Sequence, residues 1–206
     1  ALYTHHHILG NPRETYQPRE YMYLGKKHVS DFENGKNYAP EKIAHLISEG
    51  GLVAWYQGKS EWGPRALGNR SILADPRNKD MKEILNQKIK NRETFRPFAP
   101  SVLREKASEW FEDTTDSPFM LITYKAKKDK IKYMPAPIHV DGSARIQTVD
   151  QTTNALYWNL IKHFENKTGV PALINTSFNE SEPIVDTPKQ ALETFKRTNM
   201  DVLVMG

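Results

Sequence analysis

A chain of 206 residues with 38% hydrophobic content, four Trp, nine Tyr and eight Phe can build one large domain, or a domain with an arm. It has no cysteine, which excludes disulfides and thiolate metal sites. It also has no apolar run long enough for a membrane-spanning helix and no signal-peptide pattern, so a cytoplasmic location is expected.

The net charge of +4 is unevenly spread: between positions 59 and 106 there are twelve Lys/Arg against six Asp/Glu. A basic patch of this kind fits nucleic acid, phosphate ligands or plain solubility. A second cluster, Lys125, Lys127, Lys128, Lys130 and Lys132, lies between expected strands and reads as a solvated loop.

Positions 1–10 predict a helix ending at Gly10, with His5-His6-His7 as ordinary helix residues rather than a metal site. Pro12, Pro18 and a polar linker follow, so residues 1–37 are expected to form an arm before a domain over 38–206. The chain opens inside the helix without a start Met, which suggests a piece of something longer.

From Pro40 the pattern becomes regular. Pro40 at a helix N1 position, apolar Ile43, Ala44, Leu46 and Ile47, and Gly50-Gly51 predict a helix. Strands are expected over 52–56 and 71–74, then a helix carrying Met81, Ile84, Leu85 and Ile89. Strands over 99–103 and 119–124 flank a short helix at 106–111. A turn at Asp141-Gly142 leads into a strand over 144–149, and Thr153 is expected to cap a helix closed by Gly169. A strand over 170–175 follows. Thr187-Pro188-Lys189-Gln190 forms a capping box opening a helix to about 197, before a last strand over 201–205. Strands and helices mixed in this way imply an α/β (α+β) domain with helices packed on a sheet.

Four constellations carry chemistry. The run Gly58-Lys59-Ser60-Glu61-Trp62-Gly63-Pro64-Arg65-Ala66-Leu67-Gly68-Asn69-Arg70-Ser71 follows an apolar strand. Its glycines permit positive φ or close approach, and Arg65 and Arg70 suit phosphate oxygens. The competing reading is a surface loop whose arginines pair with Glu61 or Asp75. The second, Lys88 to Pro100, places Lys90, Arg92 and Arg96 at a helix end braced by Pro97 and Pro100. These cations either complement the helix dipole or stabilise a phosphoryl centre. In the third, Asn175-Thr176-Ser177-Phe178-Asn179, polar side chains at a strand end either satisfy local backbone or bind a phosphate or amide. In the fourth, the Asp141-Gly142 turn aims Arg145 into the site, and His139 with Asp141 is poor support for a metal. No Ser-His-Asp set, catalytic carboxylate pair or Walker loop is evident, which points to chemistry by positioning anions.

The segments GKSEWGPRALGNRSILADPR, IKNRETFRPFAPSVL, HVDGSARIQTV and NTSFNESEPIV, in this order, resemble the C-terminal, YrdC-like domain of the O-carbamoyltransferases of nodulation-factor and antibiotic tailoring. The resemblance runs from about residue 38 to the end. Residues 1–10 are similar to the last helix of that family's N-terminal, actin-like domain, which would make 1–37 a remnant of that domain plus a linker. Lys90-Asn91-Arg92 matches the YrdC Lys-x-Arg pair, and Thr176-Ser177-Phe178-Asn179 its Thr-Ser-x-Asn turn. The turn Asn179-Glu180-Ser181-Glu182-Pro183 departs from the pattern by being shorter and lacking a Gly found in many members.

The resemblance implies a twisted mixed sheet with a concave basic face, and formation of carbamoyl-adenylate from ATP, with Mg²⁺, and carbamoyl phosphate. The absent N-terminal domain would then transfer the carbamoyl group. On this basis Lys90 and Arg92 are the expected catalytic residues. Arg65, Arg70 and Arg145, with Arg96 behind them, are the expected phosphate clamps, while Ser177 and Asn179 orient phosphate or carbamate. No protein metal ligand is expected. Trp62 either flanks adenine or belongs to the core. The alternatives are a threonylcarbamoyl-adenylate synthase and a non-catalytic RNA-binding module; neither a membrane nor a nucleic acid is the expected partner.

Overall fold

The computed structural model describes residues 1–13, 17, 21–28 and 39–206. The expected linker after Pro12 lies largely outside these residues. The expected N-terminal helix forms, with a π-helical turn over Thr4–Ile8 and Gly10 at φ +66 just beyond it.

Among the described residues from 39 onward there are eight strands and five α-helices. In chain order these are α1 (Pro40–Ser48), β1 (Val53–Tyr56), β2 (Arg70–Ala74), α2 (Met81–Leu85, continued as a π-helical turn over Asn86–Lys90), β3 (Ala99–Leu103), α3 (Ala107–Trp110), β4 (Thr123–Lys125), β5 (Ser143–Arg145), β6 (Gln147–Val149), α4 (Ala155–Thr168), β7 (Ala172–Ser177), α5 (Pro188–Arg197) and β8 (Val202–Met205). Six strands form one sheet in the order β6-β3-β7-β2-β1-β8, and β4 and β5 pair separately. The sheet is mixed: β1 runs parallel to β8 and β3 to β6, while the β1–β2, β2–β7 and β3–β7 pairs are antiparallel.

Both faces of the sheet are covered, which is why β1 reads as a continuous apolar run instead of an alternating one. Val53 and Trp55 face one core, where α1 and α4 bring Ile47, Leu160, Ile161 and Phe164. Ala54 and Tyr56 face the other, where α2 and α5 bring Met81, Leu85 and Ala191. α5 opens with the expected capping box, Thr187 accepting from the Gln190 backbone with Pro188 at its start.

Three elements differ from expectation. The strand expected over 119–124 shrinks to β4, because Met120 adopts a left-handed φ of +54 and turns inward to 3% exposure. The strand expected over 144–149 is split between two sheets at the fully buried Ile146. Helix α4 is capped by Asn154, whose side chain accepts from Tyr157 N, and not by Thr153. In addition, part of the expected arm belongs to the packing of the domain: Met22 is 1% exposed, and Tyr23 Oη donates to Leu67 O at 3.0 Å.

The register brings the chemistry to one end of the sheet. Tyr56 pairs with Arg70, Ser71 with Ser177, and Ala99 with Asn175. The end of β1, the starts of β2 and β3 and the end of β7 therefore lie together, and the loops leaving them converge.

Gly68 shows how closely one of these loops is packed. Its φ is +101, and a Cβ there would lie 2.3 Å from Tyr157 Cδ1. At Gly63 (φ +104) a Cβ would meet nothing within 4 Å. Gly68→Ala should therefore combine strain with overpacking and cost about 3 kcal/mol or more, while Gly63→Ala should cost only the strain of about 1–2 kcal/mol. Thermal melts of the two variants compare them; equal losses of Tm would overturn this account of the loop.

Candidate anion-binding active site

The loop joining β1 to β2 is held by its own polar groups. Glu61 Oε1 accepts from the backbone N–H groups of Leu67 at 2.7 Å, Asn69 at 2.8 Å and Arg70 at 3.1 Å. Burial raises the Glu61 pKa, and these hydrogen bonds oppose the rise. Beneath the loop, Gln57 Nε2 donates to Gly68 O, Asn69 Oδ1 and Asn154 Oδ1. Gln147 Nε2 donates to Leu67 O, and Asn175 Nδ2 donates to Ala66 O, Ser101 Oγ and Gln147 Oε1. Of the amide donors only Asn175 belongs to a constellation the sequence offers for binding. Glu61 enters the sequence reading solely as a pairing partner for arginine, and Gln57, Gln147 and Asn154 carry no functional expectation. The available signal was a lone acid in a Gly-bracketed basic run.

Arg70, expected as a phosphate clamp, is fully buried. Its Nη1 donates to Gln57 O at 2.6 Å and Asn69 O at 3.0 Å, its Nη2 donates to Gly58 O and Asp186 O, and its guanidinium lies 3.7 Å from the Tyr56 ring centroid. Its Nε, like those of Arg65 and Arg145, is buried without an acceptor among the described residues. Both Nη groups are nevertheless taken up by carbonyls, and the side chain lies outside the residues lining the hollow described next. Arg70 therefore closes the loop instead of facing a ligand there, and is not a clamp. The local-pairing reading also fails at Asp75, which pairs with Arg77 at 2.7 Å. Trp62 is 72% exposed, which removes it from the core.

Arg65, Arg92 and Arg145 do converge. Together with Asn175, Thr176 and Ser177 they line a small hollow of about 140 Å³. The Nε atoms of Arg65 and Arg145 are buried and meet no acceptor among the described residues. Burial, then the charge of Arg65, lowers the Arg145 pKa. Arg92 Nε donates to Asn86 Oδ1 at 2.6 Å, and its guanidinium lies 4.7 Å from the Phe98 ring centroid.

Arg92 and Ser177 also line a second, larger and more open cavity of about 790 Å³, with Lys90, Arg96, Asn179 and Glu180. Lys90 is 5% exposed and projects from the end of the π-helical turn. Its Nζ lies within hydrogen-bonding distance of Ser177 O at 2.6 Å, Asn179 O at 2.7 Å, Asn179 Oδ1 at 2.7 Å and Ser177 Oγ at 3.2 Å. Burial, then the charge of Arg92, pushes its pKa down to about 7, with Glu182 opposing. Arg96 sits at the rim and pairs with Glu93 at 2.9 Å. The shortened turn is closed by Asn179 Nδ2 donating to Glu182 O, and Glu180 and Glu182 both pair with Arg197 of α5. The Asp141-Gly142 turn forms, with Gly142 at φ +80, and precedes β5, which delivers Arg145. Among the described residues no three His, Asp or Glu side chains are placed to hold a metal, and no helix is long and apolar enough to cross a membrane.

Comparison with known proteins agrees with this architecture. The family model described as Carbamoyltransferase C-terminus matches residues 44–206, and the chain belongs to that family. It is 49% identical over 169 residues to "Nodulation protein NolNO" of Sinorhizobium fredii, covering 80% of this chain and 25% of that protein. It is 41% identical over 184 residues to "Uncharacterized protein MJ1058" of Methanocaldococcus jannaschii, covering 89% of this chain and 28% of that protein. The chain thus spans under a third of the length of these curated relatives.

Among solved structures, P. abyssi Sua5 complexed with L-threonine superposes with a TM-score of 0.58 at 12% identity, covering 82% of this chain and 48% of that one. Full-length HypF in the phosphate- and nucleotide-bound form gives 0.55 at 19% identity, covering 81% and 24%. At these identities the likeness establishes the fold, and the expected YrdC-like mixed sheet is borne out.

The electrostatics give a direct test. Lys90 gains its charge as pH falls through about 7, so sulfate, which does not titrate in this range, should bind more tightly at pH 6 than at pH 8.5, by about threefold to tenfold. Lys90→Met should bind sulfate more weakly and lose the pH dependence. Calorimetry across this range checks both, and an unchanged pH profile in the variant would show that Lys90 does not report on the cavity.

Proposed function

We propose that this domain forms carbamoyl-adenylate from ATP and carbamoyl phosphate, releasing pyrophosphate, as one half of an O-carbamoyltransferase. In this reading residues 38–206 are the adenylate-forming domain, and residues 1–37 are the end and linker of an N-terminal domain that binds the acceptor hydroxyl and completes the transfer. Family membership supports carbamoyl chemistry. The observation that carries the site assignment is the pair Arg65 and Arg145, two guanidinium groups with buried, unpartnered Nε atoms in one hollow. Such a pair needs an anion between its members.

The two compartments differ in size as the two substrates do. The hollow of about 140 Å³ suits carbamoyl phosphate, and the cavity of about 790 Å³ suits a nucleoside triphosphate. Arg92 and Ser177 line both compartments, where carbamate and the α-phosphate would meet. Carbamoyl phosphate is hydrolysed by a water molecule, whose oxygen makes up the products carbamate and phosphate as the bond between the carbamoyl and phosphoryl groups breaks. A carbamate oxygen then bonds to the α-phosphorus as the bond to the pyrophosphate oxygen breaks. Arg92 stabilises charge on the α-phosphate, and Lys90, braced by Ser177 and Asn179, supplies positive charge beside it. Arg65 and Arg145 clamp the small anion, and Arg96 meets the polyphosphate at the rim. Mg²⁺ would enter with ATP as part of the substrate and neutralise its polyphosphate; Glu93 and Glu180 are the carboxylates that line the larger cavity.

Pyrophosphate release from ATP, Mg²⁺ and carbamoyl phosphate tests this reading. Arg145→Ala and Arg92→Ala should each lower the rate by about 10²–10³-fold with the fold retained. Arg96→Ala, at the solvated rim, should lower it by less than about tenfold. Pyrophosphate produced from threonine and bicarbonate, and not from carbamoyl phosphate, would replace the proposal with a threonylcarbamoyl-adenylate synthase.

A further inference from the structure

The basic loop already holds an anion of its own. Three backbone N–H groups, from Leu67, Asn69 and Arg70, converge on the single oxygen Oε1 of Glu61. Converging N–H groups of this kind form an anion-binding nest. Here the carboxylate comes from the near limb of the same loop, so the contact ties residue 61 to residues 67–70 and leaves 62–66 as a closed bow. Arg65 lies in that bow.

The far limb of the loop is anchored to the sheet independently. Asn175 Nδ2 donates to Ala66 O at 3.1 Å, and Gln147 Nε2 donates to Leu67 O at 2.9 Å. The outer side is held where Trp62 N donates to Met22 O at 2.8 Å. Arg65 has no such tie: its Nε is buried without an acceptor among the described residues. Its place beside Arg145 is therefore set by the backbone that carries it, in the face of mutual repulsion. Glu61 is the side chain that closes this backbone.

Building on the anion-site reading, we propose that Glu61 is a positioning residue: an internal carboxylate that fills the loop's nest, fixes residues 62–66, and so holds Arg65 against Arg145 over the small hollow. It does not touch the bound anion and acts through Arg65. The sequence motif, a Glu among cations between glycines, then has a specific purpose. The acid protects the nest from the ligand and leaves the guanidinium groups as the ligand's contacts.

Pyrophosphate binding to the full chain, measured by calorimetry, tests the proposal with Glu61→Ala, Glu61→Gln, Arg65→Ala and the Glu61→Ala/Arg65→Ala double variant. Amide hydrogen exchange at Leu67, Asn69 and Arg70 follows the loop itself. Glu61→Ala should speed exchange at these amides and weaken pyrophosphate binding by about tenfold. Glu61→Gln, which keeps an acceptor oxygen at the same reach, should stay within about threefold of the parent. The double variant should bind within about twofold of Arg65→Ala alone, because Glu61 has no route to the ligand once Arg65 is gone. Should Glu61→Ala fail to fold, the smaller loss in Glu61→Gln should likewise vanish in the Arg65→Ala background.

Losses that multiply in the double variant, or unchanged affinity in Glu61→Ala despite released amides, would overturn the role of Glu61 and leave the anion site standing. A parent chain that takes up no pyrophosphate would overturn the anion-site reading, and this inference with it.

Discussion

The structure depends on keeping a group of positive charges out of reach of carboxylates. Three acids near the site have other engagements: Glu61 is bound by backbone N–H groups, and Glu180 and Glu182 by Arg197 of α5. Only at the rim does a carboxylate, Glu93, meet one of the expected site cations, Arg96. What remains is Arg65, Arg92 and Arg145, mounted on three separate elements and facing one small volume. Like charges brought together in a partly buried space raise the free energy of the empty domain, and an anion relieves that repulsion.

The fold supplies the mounting. Three antiparallel strand pairs place the start of one strand beside the end of the next, so the loop after β1, the segment before β3 and the turn after β7 leave the same end of the sheet. The α2 helix adds Lys90 through its π-helical turn, and the split of the expected 144–149 strand adds Arg145. That split has a packing cause. Ile146 is fully buried in the core between the two sheets, so β5 ends just before it and Arg145 is left at the hollow.

Much of this was legible in the sequence, for identifiable reasons. The strands of the main sheet are buried on both faces and so appear as short apolar runs between turn signals. The capping box of α5 and the Pro40 helix start are local signatures that tertiary packing left undisturbed. Of the cations singled out, Lys90, Arg92, Arg65 and Arg145 lie at the cavities, with Arg96 at their rim. Arg70 could not be sorted from Arg65 by residue type, because both stand in the same glycine-bracketed run. Only the register separates them: Arg70 pairs with Tyr56 inside the sheet and turns its guanidinium onto carbonyls, while Arg65 stays in the loop. Met120 was unreadable for a similar reason, since an apolar run gives no sign that one of its members takes a left-handed φ.

The contrast between Arg70 and Arg65 also explains how one loop can be both rigid and reactive. A buried guanidinium whose donors meet carbonyl oxygens loses little on leaving water and fastens the chain around it. The Nε atoms of Arg65, Arg145 and Arg70 alike meet no acceptor among the described residues, so what sets Arg70 apart is the set of carbonyl contacts made by its two Nη groups. The free energy that Arg70, Glu61 and the amide network contribute to holding the loop offsets the cost of keeping Arg65 and Arg145 close together. Because binding and folding are linked, the repulsion endured by the empty hollow returns as affinity when an anion enters. The rigidity of the loop and its capacity to bind are thus two results of the same arrangement of charges.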